Sequence, residues 1–273
     1  MYVAHAEHGA PAHGTALEDV TLVCAPVAPL CAEPRASSEQ VSQSVAGHQA
    51  TILEILEGWR RVRLADGYEG WMHEGYLEPH TLSADEVLAW NARARYSLGC
   101  TVADPATGKE RALPLGARIA ATSTLVSGGL LEAQEIRRRF PPAPIEICAS
   151  AARWFWSTSY QWGGITPWGA DCSGMVQTVF GMHGVALPRD ARQQAELGTA
   201  LPLDSRAWSS GDLLFFSDRA DGRITHVAIV GSSRTLLHVA IGRGGFAVEH
   251  VDQTSDAYTT ALMGRLRAAR RLF

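Results

Sequence analysis

No stretch of the sequence approaches the roughly 18 consecutive apolar residues that a membrane-spanning helix requires. The opening residues, MYVAHAEHGAPAHG, have neither a basic start nor an apolar run of about 7 to 15 residues, so no secretory leader is legible. A cytoplasmic location is the default expectation; a periplasmic or secreted chain that had lost its leader would read the same way. Basic residues are not in excess. The 24 Lys and Arg against 28 Asp and Glu leave a net charge of −4, which speaks against broad binding to nucleic-acid phosphates. Cysteine is sparse and odd in number: Cys24, Cys31, Cys100, Cys148 and Cys172 show no CxxC spacing. Neither a disulfide framework nor a zinc cluster is expected, and at least one thiol stays free. His5, His8 and His13 lack acidic or thiol companions, so a metal-binding tail is not favoured.

What is present is a chain of 273 residues, 46% hydrophobic and 19% charged, able to bury a sizeable core. Residues 1–18 read as an N-terminal extension without hydrophobic period. From 19 to 80 the text breaks into short apolar runs, and Gly58-Trp59 and Asp66-Gly67 fit hairpin turns, since glycine tolerates positive φ. That pattern points to a small barrel. Trp59 and Trp71 are expected in its core rather than as ligand platforms. A connector helix is expected over 82–90, where Ser83 and Glu86 spell a capping box. A second strand-rich stretch follows to about 135, and STLVSGGLLEAQ within it is assigned to packing rather than recognition. Residues 81–140 thus read as the connector plus a second, degenerate barrel.

The prolines of FPPAP at 140–144 end that unit, because proline removes a donor and fixes φ. Beyond it, Ile147, Ala151, Trp154, Phe155 and Tyr160 fall at roughly helical spacing, and a further helix is expected to start near Cys172. Four strand-like runs come next, DLLFF, ITHVAIV, RTLLHVA and FAVEHV. Helices followed by an antiparallel sheet make residues 141–273 an α+β domain.

A cysteine at a helix N-terminus gains partial positive charge and amide donors that stabilise its thiolate. Cys172 is placed there by the pattern, and Gly169, Ala170, Ser173 and Gly174 leave room for a substrate carbonyl beside nearby amides. A buried structural cysteine is the competing reading. His226 and His238 lie on strands joined across GlySerSerArg, so a hairpin would bring them together, one as base and one holding its tautomer.

The segment EGWRRVRLADGYEGWMHEGYL resembles a bacterial Src-homology-3-like domain. SYQWGG (159–164), DCSGMVQ (171–177), PRDARQQ (188–194), GDLLFF (211–216), THVAIV (225–230) and LLHVA (236–240) resemble, in order, the motifs of the NlpC family of papain-like cell-wall cysteine peptidases. The resemblance is nearest to gamma-D-glutamyl-L-diamino acid endopeptidases. It implies a papain-like α+β catalytic domain behind two small all-β Src-homology-3-like barrels. It implies Cys172 as nucleophile, His226 as base, His238 as orienting residue and Tyr160 bordering the oxyanion region. Asp171, Ser173, Asp190, Tyr68, Glu39 and Arg189 would line the substrate site, carboxylates there attracting the ammonium of an unblocked L-Ala. Arg189 would face a substrate carboxylate or brace the Asp190 loop.

The implied substrate is a murein peptide, L-Ala-gamma-D-Glu joined to diaminopimelate or lysine, with no metal or organic cofactor and no nucleic-acid or membrane partner. The oligomeric state is left open. Two other readings stand beside this one: an amidase or acyltransferase using the same triad on another acyl substrate, and a murein-binding protein with a vestigial triad.

Overall fold

The computed structural model describes residues 19–204, 207–252 and 255–273; the expected N-terminal extension, residues 1–18, lies outside the described residues. The first strands are β1 (Asp19–Leu22), β2 (Val27–Cys31), β3 (Gln40–Val45), β4 (Gln49–Leu56), β5 (Trp59–Leu64) and β6 (Glu69–His73). Among the described residues they form one antiparallel sheet in the order β1-β4-β5-β6-β2-β3. The turn from β4 to β5 puts Glu57 at φ 42° and Gly58 at φ 83°, the paired positive φ of a tight hairpin. The turn into β6 has Gly67 at φ 82°, and the Asp66 carboxylate accepts from the Tyr68 amide at 3.0 Å. Both expected hairpins form.

Alternation along these strands buries Val23, Ala28, Leu30, Ala50, Val62 and Met72. The two tryptophans expected there do not join them. Trp59 is half-buried edge-on to His73, 5.3 Å between ring centres, and Trp71 is half-buried opposite Cys31. Small and aliphatic side chains already fill the narrow interior, leaving the indoles at its margin.

Helix α1 (Ala84–Arg93) starts where the capping box placed it. The Glu86 carboxylate accepts from the Ser83 amide at 2.8 Å, and the Ser83 hydroxyl accepts from the Glu86 amide at 3.3 Å. Strands β7 (Arg95–Ala103), β8 (Glu110–Ile119) and β9 (Thr124–Glu132) then form a sheet ordered β8-β7-β9. Its buried Cys100, Val102, Leu113, Ala117 and Ile119 pack with Val45 and Ala46 of the first unit, so the two β units share a core. STLVSGGLLEAQ packs at one end: Leu131 is buried and Leu130 lies against the shared core, whereas Leu125 and Val126 are 42% and 47% exposed. The packing expected of that stretch is met by Leu130 and Leu131 and not by Leu125 or Val126. Among the described residues β9 is an edge strand, paired with β7.

Helix α2 (Ala133–Arg139) stops before the prolines, and α3 (Pro144–Phe155) begins with one in its first turn. Ile147, Ala151 and Phe155 are fully buried, whereas Tyr160 lies past the helix end, bridged to Ala170. The short hairpin of β10 (Ile165–Thr166) and β11 (Gly169–Ala170) leads into α4 (Cys172–Met182). Then come α5 (Ala191–Gln194), β12 (Thr199–Ala200), β13 (Leu213–Phe216), β14 (His226–Val230), β15 (Thr235–Ala240), β16 (Gly245–His250), α6 (Ala257–Met263) and β17 (Leu266–Arg271).

The four apolar runs are β13 to β16. The sheet among the described residues is wider, ordered β12-β17-β13-β14-β15-β16. Both of its faces are covered. Leu213, Phe215, Val227 and Ile229 meet Ile147, Phe155, Val179 and Phe180, while Leu214, Phe216, Ala228 and Leu236 meet Leu262. Burial on both sides explains why those strands read as unbroken apolar runs. The fold is α+β, with antiparallel sheets and few helices. No helix among the described residues is long and apolar enough to cross a membrane.

Candidate active site

The N-terminus of α4 is built around Asp171. Its Oδ1 accepts from the Gly174 amide at 2.8 Å, capping the helix, and its Oδ2 accepts from the Gly163 amide at 2.9 Å. The Arg189 guanidinium closes on the same carboxylate with contacts of 3.1 and 2.6 Å, and also donates to the Ser173 and Ser42 hydroxyls at 2.8 and 3.1 Å. Asp171 and Arg189 are 5% and 2% exposed, so each charge is spent on the other. Of the two expectations for Arg189, these contacts favour bracing the loop; Asp171 lines the cleft as expected, with its carboxylate engaged by Arg189. Gly174 fits because a Cβ there would come 2.0 Å from the Gly164 carbonyl oxygen.

That scaffold presents Cys172, 7% exposed, in the first turn of α4. Burial, helped by Asp171, pushes its thiol up to about 12; the amides of Val227 and Ser173 pull the other way. Burial thus opposes the stabilisation that the helix start gives a thiolate. Iodoacetamide alkylation, which needs the thiolate, should climb about tenfold per pH unit above neutrality instead of levelling off below pH 7. Mass-spectrometric labelling rates across pH read this directly, and a plateau at acidic pH would show an ion pair at rest.

His226 opens β14, and the pairing Ile229 with Leu237 puts it on the same sheet face as His238 of β15. The two imidazoles meet, His226 Nε2 lying 2.8 Å from His238 Nδ1 with ring centres 5.0 Å apart. Burial, and then His238, push His226 down to about 3.

Cys172 and His226 share a cleft of about 830 Å³. Tyr160, half-buried and pushed up to about 12 by burial, forms part of its wall. The first sheet supplies another part. Tyr68, also pushed up to about 12 by burial, donates to Asp190 at 3.4 Å, and Glu39 accepts from the Trp162 indole at 2.8 Å. The structure thus gathers Cys172, His226, Tyr160, Asp171, Ser173, Asp190, Tyr68, Glu39 and Arg189 around one cleft, with His238 behind His226. Sequence reasoning missed a buried carboxylate, Glu249 of β16, which lies 3.3 Å from His238. The sign that would have found it is the one used for the histidines: a hairpin across IGRG places Glu249 diagonal to His238. Among the described residues no group of three His, Cys, Asp or Glu side chains is arranged to hold a metal ion.

Residues 157–266 match the NlpC/P60 family, and residues 30–77 match the bacterial dipeptidyl-peptidase SH3 domain. Residues 157–266 are an NlpC/P60 cysteine peptidase domain. A gamma-D-glutamyl-L-lysine dipeptidyl-peptidase of Bacillus subtilis is 37% identical over 44% of this chain, a stretch spanning 38% of that relative's length. A protein of the same name from Bacillus cereus is 23% identical over 83% of the chain and 74% of its own length. Dipeptidyl-peptidase 6 of Lysinibacillus sphaericus is 26% identical over 92% of the chain and 99% of its own length. The fold is shared with the crystal structure of an NlpC/P60 family protein from Bacillus cereus, at a TM-score of 0.76 and 18% identity, covering 93% of this chain and 99% of that one. An NlpC/P60 domain and a bacterial dipeptidyl-peptidase SH3 domain thus lie in one chain.

Proposed function

We propose that the protein hydrolyses the bond between gamma-D-Glu and a diamino acid in murein peptides that begin with a free L-Ala. The observation that carries this reading is the cleft itself. Its nucleophile and histidine lie beside a wall made by Glu39 and Tyr68, which immediately precede β3 and β6, together with Asp190. Carboxylates and a phenol on that wall suit a primary ammonium. Similarity to peptidases named for gamma-D-glutamyl-L-lysine bonds supports the same choice.

The chemistry starts at the Cys172 thiol. The Cys172 sulfur attacks the carbonyl carbon as its proton passes to His226, so the thiolate exists only while the new C–S bond forms. Backbone amides at the start of α4, with Tyr160 at the border, face the oxygen that becomes negative. The His226 imidazolium then gives its proton to the departing diamino-acid nitrogen, the C–N bond breaks, and a thioester remains. Water attacks that thioester with His226 as base and frees Cys172. His238 keeps the His226 ring in place throughout.

L-Ala-gamma-D-Glu-diaminopimelate and its N-acetylated form, incubated separately and analysed by mass spectrometry, test the assignment. Cleavage of the free amine alone is expected. Equal cleavage of both would overturn the ammonium site, and cleavage of neither would overturn the substrate.

A further inference from the structure

The chain of hydrogen bonds behind the nucleophile continues past His238. In the β15–β16 pairing His238 faces Ala247 and Leu236 faces Glu249, so Glu249 is one diagonal step from His238 on the same face. Its carboxylate is 3% exposed, with Oε1 3.3 Å from His238 Nε2. The Arg243 fork holds it with two contacts of 2.8 Å, and the Thr259 hydroxyl donates at 2.6 Å. Burial raises its carboxyl, yet the donors from His238, Arg243 and Thr259 hold it well below the usual carboxylate range.

An ionised carboxylate only accepts. The proton between Glu249 and His238 therefore sits on His238 Nε2. With that proton on Nε2, Nδ1 is the side of His238 left to accept, so the proton between the two rings belongs to His226 Nε2. This leaves His226 Nδ1 bare, the nitrogen available to the Cys172 thiol in the cleft that both residues line.

We propose that Glu249 is a positioning residue that sets the tautomer of both imidazoles and so decides which nitrogen of His226 takes the Cys172 proton. The proposal rests on the reading of Cys172 and His226 as nucleophile and base. When sulfur bonds to the carbonyl carbon and its proton moves to His226 Nδ1, the new positive charge forms in line with a buried carboxylate two groups away. Without Glu249, His238 is free to turn its proton toward His226, which then offers an N–H to the sulfur and cannot act as base.

Glu249→Leu removes the acceptor at similar volume, and Glu249→Gln keeps an acceptor oxygen without the charge. For Glu249→Leu, kcat on the free-amine tripeptide is expected to fall about 10- to 100-fold while KM stays within about twofold. Glu249→Gln should fall between it and wild type, and it carries the test should the leucine variant not fold. In a His238→Ala background, Glu249→Leu should cost nothing further. Nitrogen-15 NMR of the histidines should show His226 with its proton on Nε2 in the wild type and a mixture of tautomers in the variant.

Wild-type kcat in Glu249→Gln and Glu249→Leu, or an equal loss with and without His238, would overturn the role of Glu249. Retained cleavage by Cys172→Ala would instead overturn the nucleophile assignment beneath it, so the two failures are told apart.

Discussion

Replacing Cys172 with alanine is expected to lower hydrolysis of L-Ala-gamma-D-Glu-diaminopimelate by on the order of 10⁴-fold or more, because every covalent step runs through that sulfur. The fold should survive. The side chain is small, and the N-terminus of α4 is capped by Asp171 rather than by the thiol. A thermal melt close to wild type beside a flat product trace is the anticipated pair of results. His226→Ala should fall nearly as far, and the double variant little further, since nucleophile and base act as a unit. Substantial residual turnover in Cys172→Ala, measured by mass spectrometry on free-amine peptide, would mean that another group performs the attack.

Arg189→Met is expected to cost about 3 to 5 kcal/mol of stability, the penalty for leaving a buried carboxylate without its partner. Asp171 would keep its amide donors from Gly163 and Gly174 but lose the guanidinium that now covers both oxygens. Ser42 and Ser173 would each lose a hydrogen bond as well, so the damage spreads from the nucleophile's helix to the first sheet. Denaturant unfolding quantifies the loss, and adding Asp171→Asn should recover part of it by removing the stranded charge. A single variant within about 1 kcal/mol of wild type would show that the pair contributes little and that the loop is held elsewhere.

The features legible in the sequence were those with local causes. Ser83 and Glu86 act across three residues, and Gly58 and Gly67 set their own turns, so a short window contains the whole interaction. The histidine pair was legible because one tight turn separates the two strands. Strand β17 was not: LRAARR carries three arginines and no alternation of apolar residues, and its place beside β13 depends on partners far away, such as Asp212 bound to Arg271 at 2.7 Å. Glu249 was hidden for a related reason. In β16 the glutamate is buried and Val248 is 37% exposed, the reverse of what polarity suggests, because Arg243 and Thr259 supply the donors that make burial tolerable. Asp171 and Arg189 were found as site residues, but their mutual neutralisation appears only when residues 18 positions apart meet.

The seam between the first sheet and the peptidase domain is stitched by side chains. Gln177 donates to Asp66 at 2.8 Å, Gln40 to the Trp162 carbonyl at 2.8 Å, and the Ile165 amide to Gln43 at 3.2 Å, beside the Arg189–Ser42 and Trp162–Glu39 contacts. These bonds hold the first sheet in one pose against the peptidase domain. On the function proposed above, it would serve as a fixed end-stop, and the length of peptide accepted would be gauged by how far the scissile carbonyl lies from that stop.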